Sequence, residues 1–303
     1  MTDTAIAPNA MAGGRGGAQR MAPWLLSAPG ALFFLALLGV PLAMTAVLSV
    51  YSFDYGRGIV ETVTFANYVE VITDPYFHEI FLRTFAIGIG VTLICVLIGA
   101  PEAYILSRMR NPWRSVFLVI TLAPLLISVV VRTLGWVLLL GGNGVMSRAL
   151  TALGLAGDGV SLMYTNAGMV IALVHVLVPF MVISVWASLQ KLDPAVQDAG
   201  LSLGASPFTV IRRVVLPQVL PGILSGSLIV FALAASAFAT PAIIGGRRLK
   251  VVATAAYDEY LNTMNWPLGA AIAVLLLVAN VTVVMSYNRL VERRYRRIMG
   301  EGG

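Results

Sequence analysis

The stretch DPAVQDAGLSLGASPFTVIRRVVLPQVLPGI, residues 193–223, lies between two long apolar runs and carries more local structure than a simple connection needs. Asp193 followed by Pro194 has the form of a helix N-cap with proline at the first helical position. Val196, Ala199 or Gly200, and Leu203 then recur at helical spacing, and Gly204 is the residue type that stops a helix. Ser206-Pro207 repeats the start signal. Phe208, Ile211 and Val214/Val215 form an apolar face, with Thr209, Arg212 and Arg213 facing away. Leu216-Pro217 and Pro221-Gly222 are expected to end this element and turn the chain into the next apolar run. The reading is two short helices joined by a glycine bend. Each is too short to be stable alone in water, so the pair needs a groove on its own bundle, a groove on a partner, or a membrane surface.

The composition around that stretch is membrane-like. Of 303 residues, 58% are hydrophobic and only 11% charged, against about 25% charged in a soluble domain. Mean hydropathy is +0.87. A bilayer core takes roughly 20 apolar residues per helix, and six candidate spans are present: Trp24–Val50, Thr84–Leu106, Val116–Leu140, Ala167–Leu189, Gly222–Gly246 and Pro267–Asn288. The first is too long for the apolar part of a cleaved signal and is expected to remain as a spanning helix. The fold class is therefore all-α, a polytopic membrane protein with six transmembrane helices. Residues 1–23 read as an N-terminal tail, 24–288 as the transmembrane domain with the 190–221 connection inside it, and 289–303 as a basic C-terminal tail. A single Cys95 within an apolar run leaves no disulfide framework and no cysteine metal cluster.

Lysine and arginine orient the spans. With the N-terminus inside, the inner segments hold Arg15 and Arg20, then Arg108, Arg110 and Arg114, then Lys191, Arg212 and Arg213, then the RRYRR run at 293–297. The outer segments hold fewer bases: Arg57, Arg148, Arg247, Arg248 and Lys250. This bias predicts both termini in the cytoplasm. Basic residues placed beside spans serve topology, so nucleic acid is not an expected partner; the lipid bilayer is. The first outer segment, about 52–80, is acidic and long enough for a short surface helix.

The 193–223 stretch also resembles the EAA loop of permease subunits from binding-protein-dependent ABC importers. That pattern is Glu-Ala-Ala, three residues, Gly, nine residues, then Ile-x-Leu-Pro. Here it reads Asp198-Ala199-Gly200, Leu201 to Leu203, Gly204, Ala205 to Arg213, then Val214-Val215-Leu216-Pro217. Both gaps match, with Asp198, Gly200 and Val214 standing where the pattern has Glu, Ala and Ile. VVVRTLGWVLLLGGNGV (129–145), GAPEAYILSRM (99–109) and NWPLGAA (265–271) are similar to the spermidine/putrescine-type permeases, and the likeness extends over about residues 24–297. Glu102 departs from it, since that place is usually apolar.

The resemblance implies a type I importer permease in the bacterial inner membrane, forming half of a translocation path. Its expected partners are an ABC ATPase dimer, a second permease subunit (a heterodimer) and a periplasmic or extracellular solute-binding protein. The helix pair would dock on the ATPase through Leu203, Gly204, Ala205, Phe208, Ile211, Leu216 and Pro217, with Arg212 and Arg213 at the rim. The implied solute is a polyamine or a related small amine.

Other motifs bound the chemistry. No G-x-x-x-x-G-K-[ST] is present, so no cofactor is expected on this chain; ATP-Mg would be used by the partner ATPase. No H-E-x-x-H, Cys-x-x-Cys or clustered acid pair suggests catalysis, so the chain is not read as an enzyme. Arg132 is costly in hydrocarbon, about 2.5–3.5 kcal/mol on insertion scales, and is expected to face protein or a water-filled path. Arg132, His175, Glu102, Asp258 and Glu259 are the candidates for the pathway or its gate. His175 reads as buried, neutral and hydrogen-bonded, and Glu102 as reaching toward Arg108 or Arg110. The YDEY run at 257–260 joins carboxylates to aromatics, a combination suited to amine cations. A self-sufficient secondary transporter or channel for a small organic cation is the alternative reading. Such proteins usually spread ionisable residues through several spans or show repeat symmetry, and that reading leaves the 193–223 element unexplained.

Overall fold

The computed structural model describes residues 18–154, 157 and 159–300, so most of the expected N-terminal tail, residues 1–17 with Arg15, lies outside the described residues. Two units are resolved. The first, ending at Leu48, is helix α1 (Ala18–Leu48), whose apolar part Ser27–Leu48 is long enough to cross a bilayer and buries none of its side chains within the chain.

The second unit, from Ser49 onward, opens with an antiparallel hairpin, β1 (Tyr51–Asp54) and β2 (Gly58–Val63), followed by α2 (Ala66–Thr73). The sequence foretold a surface helix here but not the hairpin. Asn67 donates to the carbonyls of Ser49 and Tyr51 at 2.9 and 2.8 Å, tying α2 to the start of the hairpin. Asp74 then caps α3 (Pro75–Arg108) by accepting from the Tyr76 amide at 2.8 Å. This helix starts nine residues before the expected Thr84.

The core is a three-helix contact of α3 with α7 (Asn166–Leu189) and α10 (Leu216–Ala235). Val91, Cys95, Ala103, Met169, Met181, Val182, Val185 and Val230 are fully or nearly fully buried there. Small residues set the spacing. A Cβ on Gly222 of α10 would stand 2.4 Å from Ser188 Oγ and 2.6 Å from the Ser184 carbonyl of α7, so only glycine permits this approach. A second cluster joins Val71, Phe77 and Ile80 to Val252 and Ala255 of α11 (Val252–Leu261) and to Leu268 and Ile272 of α12 (Trp266–Gly300). Helix α12 runs twelve residues past the expected end of the last span, so the basic segment from Arg289 to Gly300 continues the helix.

Two expected spans are broken. The Val116–Leu140 run is α4 (Trp113–Leu126) and α5 (Val129–Leu140), parted at Ile127, which is extended, and Ser128, which is not helical. Helix α6 (Val145–Ala152) follows α5. Among the described residues, the six spanning candidates by length and apolarity are Ser27–Leu48, α3, Val129–Ala152, α7, Pro207–Ala235 and Trp266–Val291, with α4 a shorter apolar helix. The Gly222–Gly246 run likewise ends as a helix at Ala235 and resumes as a wide π-type turn, Pro241–Gly245. Interrupted backbone at membrane depth is tolerated only where protein or a water-filled cavity covers it; Ile127 at the first break is exposed in the single chain, so that break calls for such cover.

Candidate functional site

The 193–223 element is built as its caps foretold, up to one point. Asp193 accepts from the Ala195 amide at 2.9 Å and starts α8 (Pro194–Ser202). Gly204 has φ +83, and the amides of Gly204 and Ala205 bond back to the carbonyls of Leu201 and Gly200 at 3.0 and 3.2 Å. Those two bonds form the paired closure that a left-handed glycine makes at a helix end. Ser206 caps the restart, α9 (Pro207–Val210), by accepting from the Thr209 amide at 3.3 Å. Gly200 stands beside Val210: a Cβ there would lie 3.2 Å from Val210 Cγ2. Glycine in place of the pattern's alanine thus lets the two limbs of the bend close on each other.

The second limb does not stop at Leu216-Pro217 or at Pro221-Gly222. It passes through a π turn, Ile211–Val215, straight into α10, giving one helix from Pro207 to Ala235. The Leu216 amide bonds to the Ile211 carbonyl, five residues back. That widened turn stands where the ring of Pro217 would otherwise press on the preceding turn of an α-helix, so the proline is absorbed rather than ending the helix. Leu203 is 88% exposed and Phe208 72% exposed, while Val210 and Val215 are buried. The expected apolar face is therefore split. Val196, Leu203, Phe208 and Ile211 are open, Gln197 is the side chain that α8 buries, and Arg212 and Arg213 are exposed. Continuous helix thus joins the α8–α9 bend to the α10–α7 contact.

The two helix breaks face one cavity of about 450 Å³. Leu125, Ile127 and Val129 line it from the α4–α5 break, Ala237, Phe238 and Thr240 from the break after α10. Leu173 to Phe180, the middle of α7, closes it. Thr133 and Thr240 hydroxyls meet at 3.3 Å beside it, joining the two breaks. Arg132 lies in its wall, only 8% exposed. Its Nη1 donates to the Pro124 carbonyl, in the last turn of α4, while its Nε is buried without a partner. A cation at the carbonyl end of a helix is favourably placed against the helix dipole.

The remaining candidates do not converge. His175 is exposed within the chain rather than buried, although Trp136 Nε1 donates to its Nδ1 at 3.3 Å, ring against ring at 5.5 Å. It sits on a face of α7 that the chain itself does not cover. Glu102 accepts from Thr121 of α4 at 2.5 Å and makes no ion pair with Arg108 or Arg110. A near neighbour on the next helix costs less than stretching to the surface, and the Arg108 guanidinium lies over the Tyr104 ring instead, 5.5 Å from its centre.

Asp258 is bonded to Lys250 Nζ at 2.7 Å and Asn262 Nδ2 at 2.8 Å, and Glu259 accepts from Thr263 at 2.6 Å. Burial pulls the Lys250 ammonium down, but its bonds to Asp258 and Tyr76 outweigh this and hold it above the ordinary range. Burial, then Glu259 and Asp74, raise the Glu70 carboxyl. Phe238, in the cavity wall, packs on Tyr257 at 4.7 Å. Sequence reasoning passed over Thr133, Thr240, Pro124 and Phe238; Pro124 and Pro241, each within a few residues of a break, were the available signals.

A family of binding-protein-dependent transport system inner membrane components matches residues 13–297. The chain belongs to that family. It is a permease subunit of a binding-protein-dependent ABC importer, a multi-pass inner-membrane protein. Among curated relatives, the spermidine/putrescine transport system permease PotB of Haemophilus influenzae is 27% identical over 84% of this chain and 90% of its own. PotB of Escherichia coli K12 is 29% identical over 78% and 84%. The molybdenum transport system permease ModB of Mycobacterium bovis is 30% identical over 74% and 83%. In fold, the permease is similar to a chain of a bacterial ABC transporter involved in import of the acidic polysaccharide alginate, with TM-score 0.71, 20% identity, and 91% and 97% of the two chains covered.

Proposed function

We propose that this permease carries small amines of the polyamine type, forming half of a path completed by a second, non-identical permease. Its solute comes from a binding protein, and its energy from an ATPase dimer that uses ATP-Mg and is seated on the α8–α9 bend. Both termini lie in the cytoplasm, on the side of that bend. The observation that carries the coupling reading is the open apolar pair Leu203 and Phe208 on a rigidly capped bend whose second limb is continuous with α10. Exposed apolar side chains of that size on so short an element mark an interaction site. The PotB relatives support the amine reading. The cavity between the two helix breaks is the permease's share of the path, in keeping with solute sites at discontinuous helices near mid-membrane.

Two experiments test this. In the assembled importer, Phe208→Glu is expected to abolish co-purification of the ATPase while insertion into the membrane is kept; unaltered assembly and transport would rule the coupling role out. ATP-dependent uptake into proteoliposomes, challenged with spermidine, putrescine and other small organic cations, tests the solute. Uptake of none of them would remove the amine reading and leave the coupling reading standing.

A further inference from the structure

The cavity wall combines features that a path for cations would not be expected to have. Apart from Arg132 and Thr240, every lining side chain is apolar. Among the described residues the ion pairs are Arg83 with Glu79 and Lys250 with Asp258, so Arg132 has no carboxylate partner. It is more than nine-tenths buried, with Nε unpartnered. Its position is fixed at both ends: its backbone amide bonds to the Ser128 carbonyl at 3.0 Å, and its Nη1 donates to Pro124 across the break. A guanidinium keeps its charge where an ammonium would surrender it. The lining residues of α7, 173 to 180, fall in the middle of that 24-residue helix, so the cavity that Arg132 lines lies against the middle of α7.

We propose that Arg132 is a charge-selectivity residue, a fixed positive charge that bars free amine cations from leaking through the resting transporter. This rests on the reading of the cavity as the path. A like charge about 7 Å away, at protein-like screening, lowers the occupancy of a cation by roughly tenfold or more, and rings or single residues of fixed charge set selectivity in other membrane pores by the same physics. The barrier stands on the α4–α5 break, so a rearrangement of that break moves the charge. Passage of the solute is thereby tied to the ATP-driven change of state instead of to its own gradient. The contact with Pro124 serves to hold the charge in place.

The test uses the complete importer in proteoliposomes without ATP, measuring efflux of tetramethylammonium, a permanent cation, against uncharged erythritol. Arg132→Gln is expected to raise cation efflux at least about tenfold with erythritol efflux unchanged. If Arg132→Gln leaves cation efflux unchanged, the proposal fails. If both solutes leak together, Arg132 is only a cap on α4 and the proposal also fails. Should Arg132→Gln not assemble, Val129→Glu against Val129→Gln keeps the question open to measurement. Val129 lines the same cavity one turn before Arg132 and is not itself a partner in the Pro124 contact. The glutamate variant is expected to leak the cation about tenfold more than the glutamine variant, and equal leakage overturns the proposal. These effluxes are readable whether or not the wild type imports amines, so the failure of the solute reading is seen separately in the uptake panel.

Discussion

Substituting Gly222 by alanine is expected to destabilise the permease although it improves helix propensity. The new Cβ would sit 2.4 Å from Ser188 Oγ, which can rotate, but also 2.6 Å from the Ser184 carbonyl and 2.9 Å from Ser188 Cβ, which cannot. Restoring ordinary contact requires α10 to retreat from α7 by nearly an ångström along the largest part of the core. Overpacking of this kind costs about 1–3 kcal/mol, and the gain from replacing glycine in a helix is up to about 1 kcal/mol. The net loss is up to about 2 kcal/mol, or up to about 3 °C in melting temperature for a chain of this size. Gly226→Ala meets the flexible Met181 Sδ at 2.8 Å and should cost less; Gly90→Ala, with nothing within 4 Å, should be neutral or stabilising. The three variants, purified in one detergent and melted side by side by intrinsic fluorescence, give the order. Gly222→Ala melting at or above wild type, or Gly90→Ala being the most damaging, would refute the close-approach argument.

The bend between α8 and α9 supplies two further tests. Asp193→Ala removes the cap on α8 and should cost about 1 kcal/mol, seen as faster amide exchange confined to residues 195–202. Gly204→Ala forces a side chain into φ +83; it is expected to cost at least about 1 kcal/mol and to weaken ATPase association more than Asp193→Ala does. Glu70 gives a pH test: its carboxyl is raised by burial and by Glu259 and Asp74, so the folded state binds its proton more readily than the unfolded one. Stability from this site is fully present below the ordinary carboxyl range and is lost as pH rises through the raised folded value. Glu70→Gln should remove that slope and leave the melting temperature flatter between pH 4 and 7; an unchanged slope would refute the assignment.

Much of this was legible in sequence because it depends on neighbours along the chain. Asp193-Pro194, Gly204 and Ser206-Pro207 state their own hydrogen bonds, and each was found bonded as expected. The failures share a cause. Pro217 and Pro221 read as helix ends, yet in α10 a π turn and the packing of α7 and α3 absorb them. Residues 116–140 read as one span; in three dimensions they are parts of two helices that Arg132 bridges. His175 read as buried because its neighbours in sequence are apolar, but on a helix the face decides, and that face is open in the single chain.

Apolar length, charge bias and capping chemistry are properties of consecutive residues, so the sequence by itself determined the membrane class, the six spans in outline and the helix–bend–helix element with its family spacing. Where the spans break, which glycines touch a neighbouring backbone, and that Leu125 and Phe238 share one cavity with Arg132 were decided only by the tertiary structure. Those facts depend on packing between segments well separated along the chain, and a linear pattern carries no term for the surface that such segments present to each other.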